Sequence, residues 1–209
     1  MRDMTVDGGT VKRPDHARLF EIASERGGYF TAGQAVEAGF GWSLLAHHTD
    51  TGRFRRIHRG LYRFRDFPAG TRDDVLEAWM SVGMDDAVVS HASALDLLGL
   101  SDAIPDAVHI TVSRNRRHQR VRPGIRLHTV VSPIRIEDRT WRNGCAVTTP
   151  LRTILDMLVS GDAPDHLDDA IRQAVMRGLV SAEALRARAE TLGRRATACI
   201  HHSLEAARR

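Results

Sequence analysis

The stretch "GRFRRIHRGLYRF", Gly52 to Phe64, decides how the first third of the chain is read. It sets arginines at 53, 55, 56, 59 and 63 among Phe54, Ile57, Leu61, Tyr62 and Phe64, and it contains no acid. Successive side chains on a strand point to opposite faces, so a two-stranded hairpin can pack one face on a core and turn the other to solvent or a polyanion. Arg59-Gly60 supplies the turn, with Gly60 free to take a positive φ at the tip. Phe54 and Ile57 do not fit one regular face, which predicts a bulge or bend near Arg55 and Arg56.

Working back from the hairpin, Asp15 caps a helical pattern, "DHARLFEIASERGG", whose apolar face carries Ala17, Leu19, Phe20, Ile22 and Ala23. Thr31 starts a short second helix closed by Gly39. A third begins near Trp42 or Ser43 and runs through "SLLAHHTDTG". Three helices and a hairpin within about 50 residues is the order of a winged helix-turn-helix, whose third helix enters the major groove while the hairpin lies on the backbone or minor groove. Residues 15–67 are read as this domain, preceded by a polar, flexible lead-in over residues 1–14. In it Arg53, Arg55, Arg56, Arg59 and Arg63 are candidate phosphate contacts, and Ser43, His47 and His48 are candidate base contacts, because backbone contacts give affinity and base edges give sequence reading. Trp42 and Leu44 are expected to pack the helix on its domain.

Working forward, residues 71–209 read as a mixed α/β domain with a small sheet and C-terminal helices, so that the whole is an α+β chain. "TRDDVLEAWMSVG" is a helix burying Val75, Leu76, Trp79 and Met80. "SHASALDLLGL" is another, with Ser90 as cap and Gly99 as stop. "AVHITVS", "GIRLHTVV" and "CAVTT" read as strands, and "TPLRTILDMLV" as a helix with Pro150 in its first turn. "PDHLDDAIRQAVMRG" and "SAEALRARAETLG" are amphipathic helices, the first with a stripe of Leu167, Ile171, Ala174 and Val175. The tail "RRATACIHHSLEAARR" is expected to be helical at best and weakly anchored.

The formal charge is only +4 at a sequence pI of about 9.8, so the positive charge carries information through its placement. A second acid-free basic stretch holds Arg114, Arg116, Arg117, Arg120 and Arg122, on a connection long enough to reach out of the fold. It is open to nucleic acid, to an acidic protein surface, or to no partner at all. Lys12 is the one lysine, which removes the usual nuclease set of carboxylates and a lysine. Cys145 and Cys199 form no C-x-x-C pair, and no H-E-x-x-H occurs, so neither a metal site nor a disulfide framework is expected. No phosphate-cradling glycine motif is present, and no cofactor is expected. Ser90, His91 and Ser93 are read as capping and packing, and His109 and His128 as structural. With no apolar run near the length of about 20 residues that spans a bilayer, and no signal-peptide core, a cytoplasmic protein away from membranes is expected.

Taken together, "FTAGQAVEAGFGWSLLAHHTDTGRFRRIHRGLYRF", "VVSHASALDLLGL", "VHITVSRNRRHQRVRPGIRLH" and "VTTPLRTILDML" resemble the AbiEi-type antitoxins of type IV toxin-antitoxin systems, over roughly residues 15 to 180. The resemblance implies a non-enzymatic antitoxin whose winged helix represses its own operon at an inverted repeat of operator DNA. Its second domain would oppose a nucleotidyltransferase-type toxin, with Arg114, Arg116, Arg117, Arg120 and Arg122 as candidate toxin contacts. Two other functions stay open: a phosphotransferase antitoxin that modifies the toxin, and a DNA-binding regulator with no toxin partner.

Overall fold

The structure is a computed structural model that describes residues 13–161 and 164–206, with the side chains of residues 164–166 and 206 left aside. The expected lead-in over residues 1–14 therefore lies outside the described residues except at Arg13 and Pro14. The chain divides into two compact units, Met1–Asp73 and Asp74–Arg209.

In the first unit the order is α1 (His16–Ser24), β1 (Tyr29–Thr31), α2 (Ala32–Glu37), α3 (Trp42–Asp50), β2 (Phe54–His58) and β3 (Leu61–Phe64). The starts of α1 and α2 are chemically marked, whereas α3 begins after Gly41 with no side-chain cap. The Asp15 carboxylate accepts from Arg18 N at 2.9 Å, and Thr31 and Gln34 close a reciprocal capping box at α2. Leu19, Ala23, Phe30, Ala35, Phe40, Leu45, Phe54 and Phe64 form the core, in which the Phe54 ring meets Phe30 at 4.9 Å and Phe64 at 5.0 Å, both edge to face. Gly28 (φ +85) lies against Phe67, whose ring would be only 2.4 Å from a β-carbon at that position, so no larger residue fits there. The strand β1 is absent from the sequence reading because its three residues are too few to show alternation. It makes the sheet order β1-β3-β2, antiparallel throughout, and so puts β3 in the middle.

The second unit contains α4 (Asp73–Val82) from its second residue on, β4 (Val88–Val89), α5 (His91–Leu97), β5 (Val108–Ser113), β6 (Ile125–Val130), β7 (Arg139–Arg142), β8 (Cys145–Thr148), α6 (Pro150–Ser160), α7 (Pro164–Met176), α8 (Ala182–Leu192) and α9 (Arg194–Ala206), while Asp73 belongs to the first. The sheet order is β6-β5-β4-β8-β7, with β5–β6 and β4–β8 parallel and the other pairs antiparallel. As the sequence predicts, α4 buries Val75, Leu76, Trp79 and Met80. The α7 stripe of Leu167, Ile171 and Ala174 is domain core, with Val175 half-buried. Pro150 stands in the first turn of α6 behind the Thr149 cap.

Two expectations need correction. The C-terminal tail is firmly anchored, because Ala196, Ile200 and Leu204, spaced by four residues, make an inward stripe on α9. The Ser203 hydroxyl within the same face donates to the Asp168 carboxylate. Ser90 stands at the N-cap position of α5, but its hydroxyl makes no capping bond and is engaged with His91 and Thr111 instead.

Candidate nucleic-acid interface

The hairpin forms, but without regular alternation: β3 is buried at all four positions, and Arg55 and Arg56 are both exposed on β2. Phe54 pairs with Phe64, Arg55 with Arg63 and Arg56 with Tyr62, and the register then slips between Arg56 and His58, so the irregularity falls at Ile57, one position beyond the expected Arg55–Arg56. Gly60 turns the chain at φ +80 with open space around its α-carbon. Arg53, Arg55, Arg56 and Arg59 are all exposed, the first three at or beside the sheet-edge strand β2. No acid interrupts residues 51–65.

Arg63 departs from the sequence reading and is withdrawn from the set of phosphate contacts. It lies on the central strand β3, which is buried at all four positions. Its Nε donates to Gly27 O at 3.0 Å, and one terminal nitrogen donates to Pro68 O at 2.8 Å and to the Asp73 carboxylate at 3.0 Å. The guanidinium also lies 5.0 Å from the Tyr29 ring centre. A planar fork with five donors suits this task, and the side chain straps the segment after β3 to the glycine turn before β1.

On α3, Leu45 is buried and Leu44 half-buried, leaving Ser43, Ala46 and His47 exposed along one side. Trp42 was expected to pack inward; it is instead 68% exposed in the first turn of α3, since the inward stripe begins only at Leu44. His48 is a further correction. Its ring packs on Phe54 at 5.1 Å, Phe40 at 5.8 Å and His16 at 5.4 Å, which turns it toward the core and away from any base edge. Burial holds the pKa of His48 below its ordinary 6.5, helped by the charges of Arg53, His16 and His47. Burial and then Arg53 lower His16 in the same way. Neither His16 Nδ1 nor His48 Nε2 has a hydrogen-bond partner among the described residues, and the two rings pack together at the foot of the hairpin.

The second basic stretch is divided in the second unit. Arg114, Arg117 and Arg120 are exposed, whereas Arg116 donates to Val82 O at the end of α4 and faces Asp86 at 4.0 Å, and Arg122 pairs with Glu77 at 2.7 Å. Gln119 also reaches Val82 O, at 2.9 Å. The connection is thus folded back on α4 and does not project freely, contrary to expectation, because two of its arginines and a glutamine find acceptors in their own unit.

Residues that the sequence reading took singly, as capping, packing or structural, meet in a polar cluster between α5 and the sheet. His91, His109 and His128 come within reach of one another, with Ser90, Ser93 and Thr111 buried around them. His91 is pushed down to about 3, by burial first and then by the neighbouring His128, His109 and Arg152. "SHAS", "VHIT" and "LH" are the traces of this cluster in the sequence, but nothing in their spacing says that they meet.

Among solved structures, the chain is similar to the Rv2827c protein of Mycobacterium tuberculosis, at 19% identity and a TM-score of 0.54 over 91% of this chain and 76% of that one, a likeness of fold. No curated protein sequence matches the chain. No helix among the described residues is long and apolar enough to cross a membrane. The stretch that builds the exposed arginine hairpin and α3 is also the stretch that matches a known family model: residues 17–65 are similar to a family described as transcriptional regulator, AbiEi antitoxin.

Proposed function

We propose that residues 15–67 form a winged helix-turn-helix that binds an inverted repeat in the chain's own promoter, and that residues 71–209 form the domain that opposes a nucleotidyltransferase-type toxin in the cytoplasm. The observation that carries the DNA-binding reading is the acid-free set of exposed arginines, 53, 55, 56 and 59, on a hairpin packed beside the exposed side of α3. Its place inside the family-matched stretch supports the regulatory role. The arginines neutralise phosphates and set the register of the protein on the duplex, while Ser43 and His47 face the base edges. Trp42, at the leading end of α3, adds an apolar surface for a thymine methyl or a sugar. His48 and Arg63 hold the domain together and touch no nucleic acid.

In the second unit the exposed Arg114, Arg117 and Arg120 are the remaining candidate toxin contacts, acting through charge complementarity on association rate and specificity. The protein acts here as a binding partner without chemistry of its own.

The test is twofold. The purified full chain is titrated against its upstream promoter DNA and against a shuffled duplex by fluorescence anisotropy, and binding at least tenfold tighter to the promoter is expected. Equal affinity for both duplexes overturns operator recognition. Co-expression with the neighbouring gene product is expected to relieve that product's toxicity, and serine at 114, 117 and 120 is expected to weaken the relief while leaving promoter binding intact. A neighbour that is not toxic leaves a regulator with no toxin partner, and relief accompanied by phosphorylation of the toxin overturns the purely binding role.

A further inference from the structure

The parallel pairing of β5 and β6 sets His109 opposite Arg126 and Thr111 opposite His128, so all four side chains share one face of the sheet. The start of α5 is fastened over that face. Ser90 N donates to His109 O at 3.0 Å, His109 N donates to Ser93 Oγ at 2.9 Å, and Thr111 Oγ1 donates to Ser90 Oγ at 2.7 Å. These bonds bring His91, the first residue of α5, onto the two strand histidines. His91 itself has a φ of +52°, in the left-handed region that residues with a β-carbon enter at a cost, which the surrounding bonds must hold in place.

The result is three imidazoles, each contributing a nitrogen, with those nitrogens all within 4.8 Å of one another. His128 Nε2 is 3.0 Å from His109 Nδ1, and the His91 and His128 rings lie nearly parallel with centres 3.6 Å apart. We propose that His91, His109 and His128 form a binding site for a divalent transition metal, zinc by preference. Two imidazole nitrogens at about 2.0–2.1 Å from a tetrahedral zinc stand roughly 3.3 Å apart, so the His109–His128 pair has to open by a few tenths of an ångström, and His91, whose ring lies flat on His128, has to turn so that its in-plane lone pair faces the same point. No thiolate or carboxylate joins the group among the described residues, and an all-imidazole donor set suits zinc, nickel or copper over magnesium or calcium.

The surroundings match what a metal-binding histidine requires. His91 Nδ1 lies 2.9 Å from Ser90 Oγ, which already accepts from Thr111. A hydrogen bond donated by Nδ1–H to that oxygen leaves Nε2 of His91 with its lone pair for the metal, the outer-shell arrangement that fixes tautomer and ring orientation. His109 also lines a pocket of about 290 Å³ whose other walls include Leu95, Ile104, Asp106, Arg126 and Met157, room for a water or small anion on the far side of that ring. A metal here ties α5, β5 and β6 together in the second unit, independently of how the first unit meets DNA.

The test uses the full chain, stripped with a chelator and then titrated with zinc against a chromophoric competitor. Uptake of one zinc per chain is expected, with a visible d–d spectrum of tetrahedral type when cobalt is substituted. His128→Asn, at the least buried of the three positions, is expected to abolish both signals, and Ser90→Ala to weaken zinc binding by about tenfold through loss of the outer-shell bond. His118→Gln and His202→Gln, at exposed histidines outside the cluster, are expected to leave uptake unchanged. Circular dichroism of each variant separates lost ligation from lost folding, and His91→Gln provides a second ligand variant if His128→Asn does not fold. No stoichiometric uptake by the unaltered chain, or uptake that survives both ligand substitutions, overturns the proposal.

Discussion

Replacing Arg63 separates the arginines that hold the first unit together from those that face outward. The Arg63 side chain is 9% exposed and that of its partner Asp73 is 23% exposed. Arg63→Ala strands the Gly27 and Pro68 carbonyl oxygens and leaves the Asp73 carboxylate with the Gly70 amide, which donates to it at 3.0 Å. Removing one partner of a fully buried pair costs about 3–5 kcal/mol, and water that reaches the partly exposed Asp73 reduces this to about 2–4 kcal/mol. At a urea m-value of about 2 kcal/mol/M the midpoint falls by about 1–2 M. Because a chain of two units need not unfold in one step, amide exchange in β1 and β3 is the measurement that locates the loss. Arg63→Lys keeps the charge toward Asp73 but not the fork, and recovers only part of the stability. Under conditions where the variant remains folded, its DNA affinity is expected to keep the full salt dependence. A variant that retains its urea midpoint and binds DNA with a flattened salt slope would refute the assignment of Arg63 to the interior.

The converse is expected on the outer face: Arg55→Ala, Arg56→Ala and Arg59→Ala each leave stability within about 0.5 kcal/mol and flatten the slope of log K against log salt by about 0.9, on specific and non-specific duplexes alike. The His16–His48 cluster makes the first unit sensitive to acid. Both folded-state pKa values lie below 6.5, so the contribution is fully present above that pH and is lost as pH falls from 6.5 toward the lowered values; urea midpoints at pH 7.5 and 5.5 should differ less in His48→Gln than in the unaltered chain. In α9, Ile200→Ala removes a fully buried side chain and is expected to cost about 2–5 kcal/mol, read as a lowered urea midpoint of the second unit, whereas a weakly anchored tail would show no change.

The helices and hairpin of the first unit were legible because their signals are local. Asp15, Thr31, Gly60 and the interleaved apolar residues of Phe54 through Phe64 act within a few residues of themselves. The fate of Arg63 was not local: it depends on β1, only Tyr29–Thr31, pairing with β3 and making it a central strand. Trp42 and His48 misled for a related reason, since the orientation of α3 follows from where Leu45 finds the core, and a one-residue rotation of the inward stripe exchanges which aromatic group is covered. The histidine cluster was beyond reach because it needs the parallel register of β5 and β6 and the docking of α5 at once, across 37 positions from His91 to His128. In α9 the arginines and histidines on the outer face masked the inward Ala196, Ile200 and Leu204.

The outer position of β2 gives its arginines a second consequence. Its far side offers backbone amides and carbonyls that pair with no strand of its own sheet, an invitation for another chain to add on. Like charges at Arg53, Arg55 and Arg56 repel a second copy brought alongside in the same orientation, and the slipped register at Ile57 spoils the straight run of donors and acceptors that such a copy would need. Charge that attracts a polyanion therefore also keeps the free protein from polymerising through its own sheet. A chain stripped of these arginines would lose its solubility along with its DNA, most of all in low salt where their mutual repulsion is least screened.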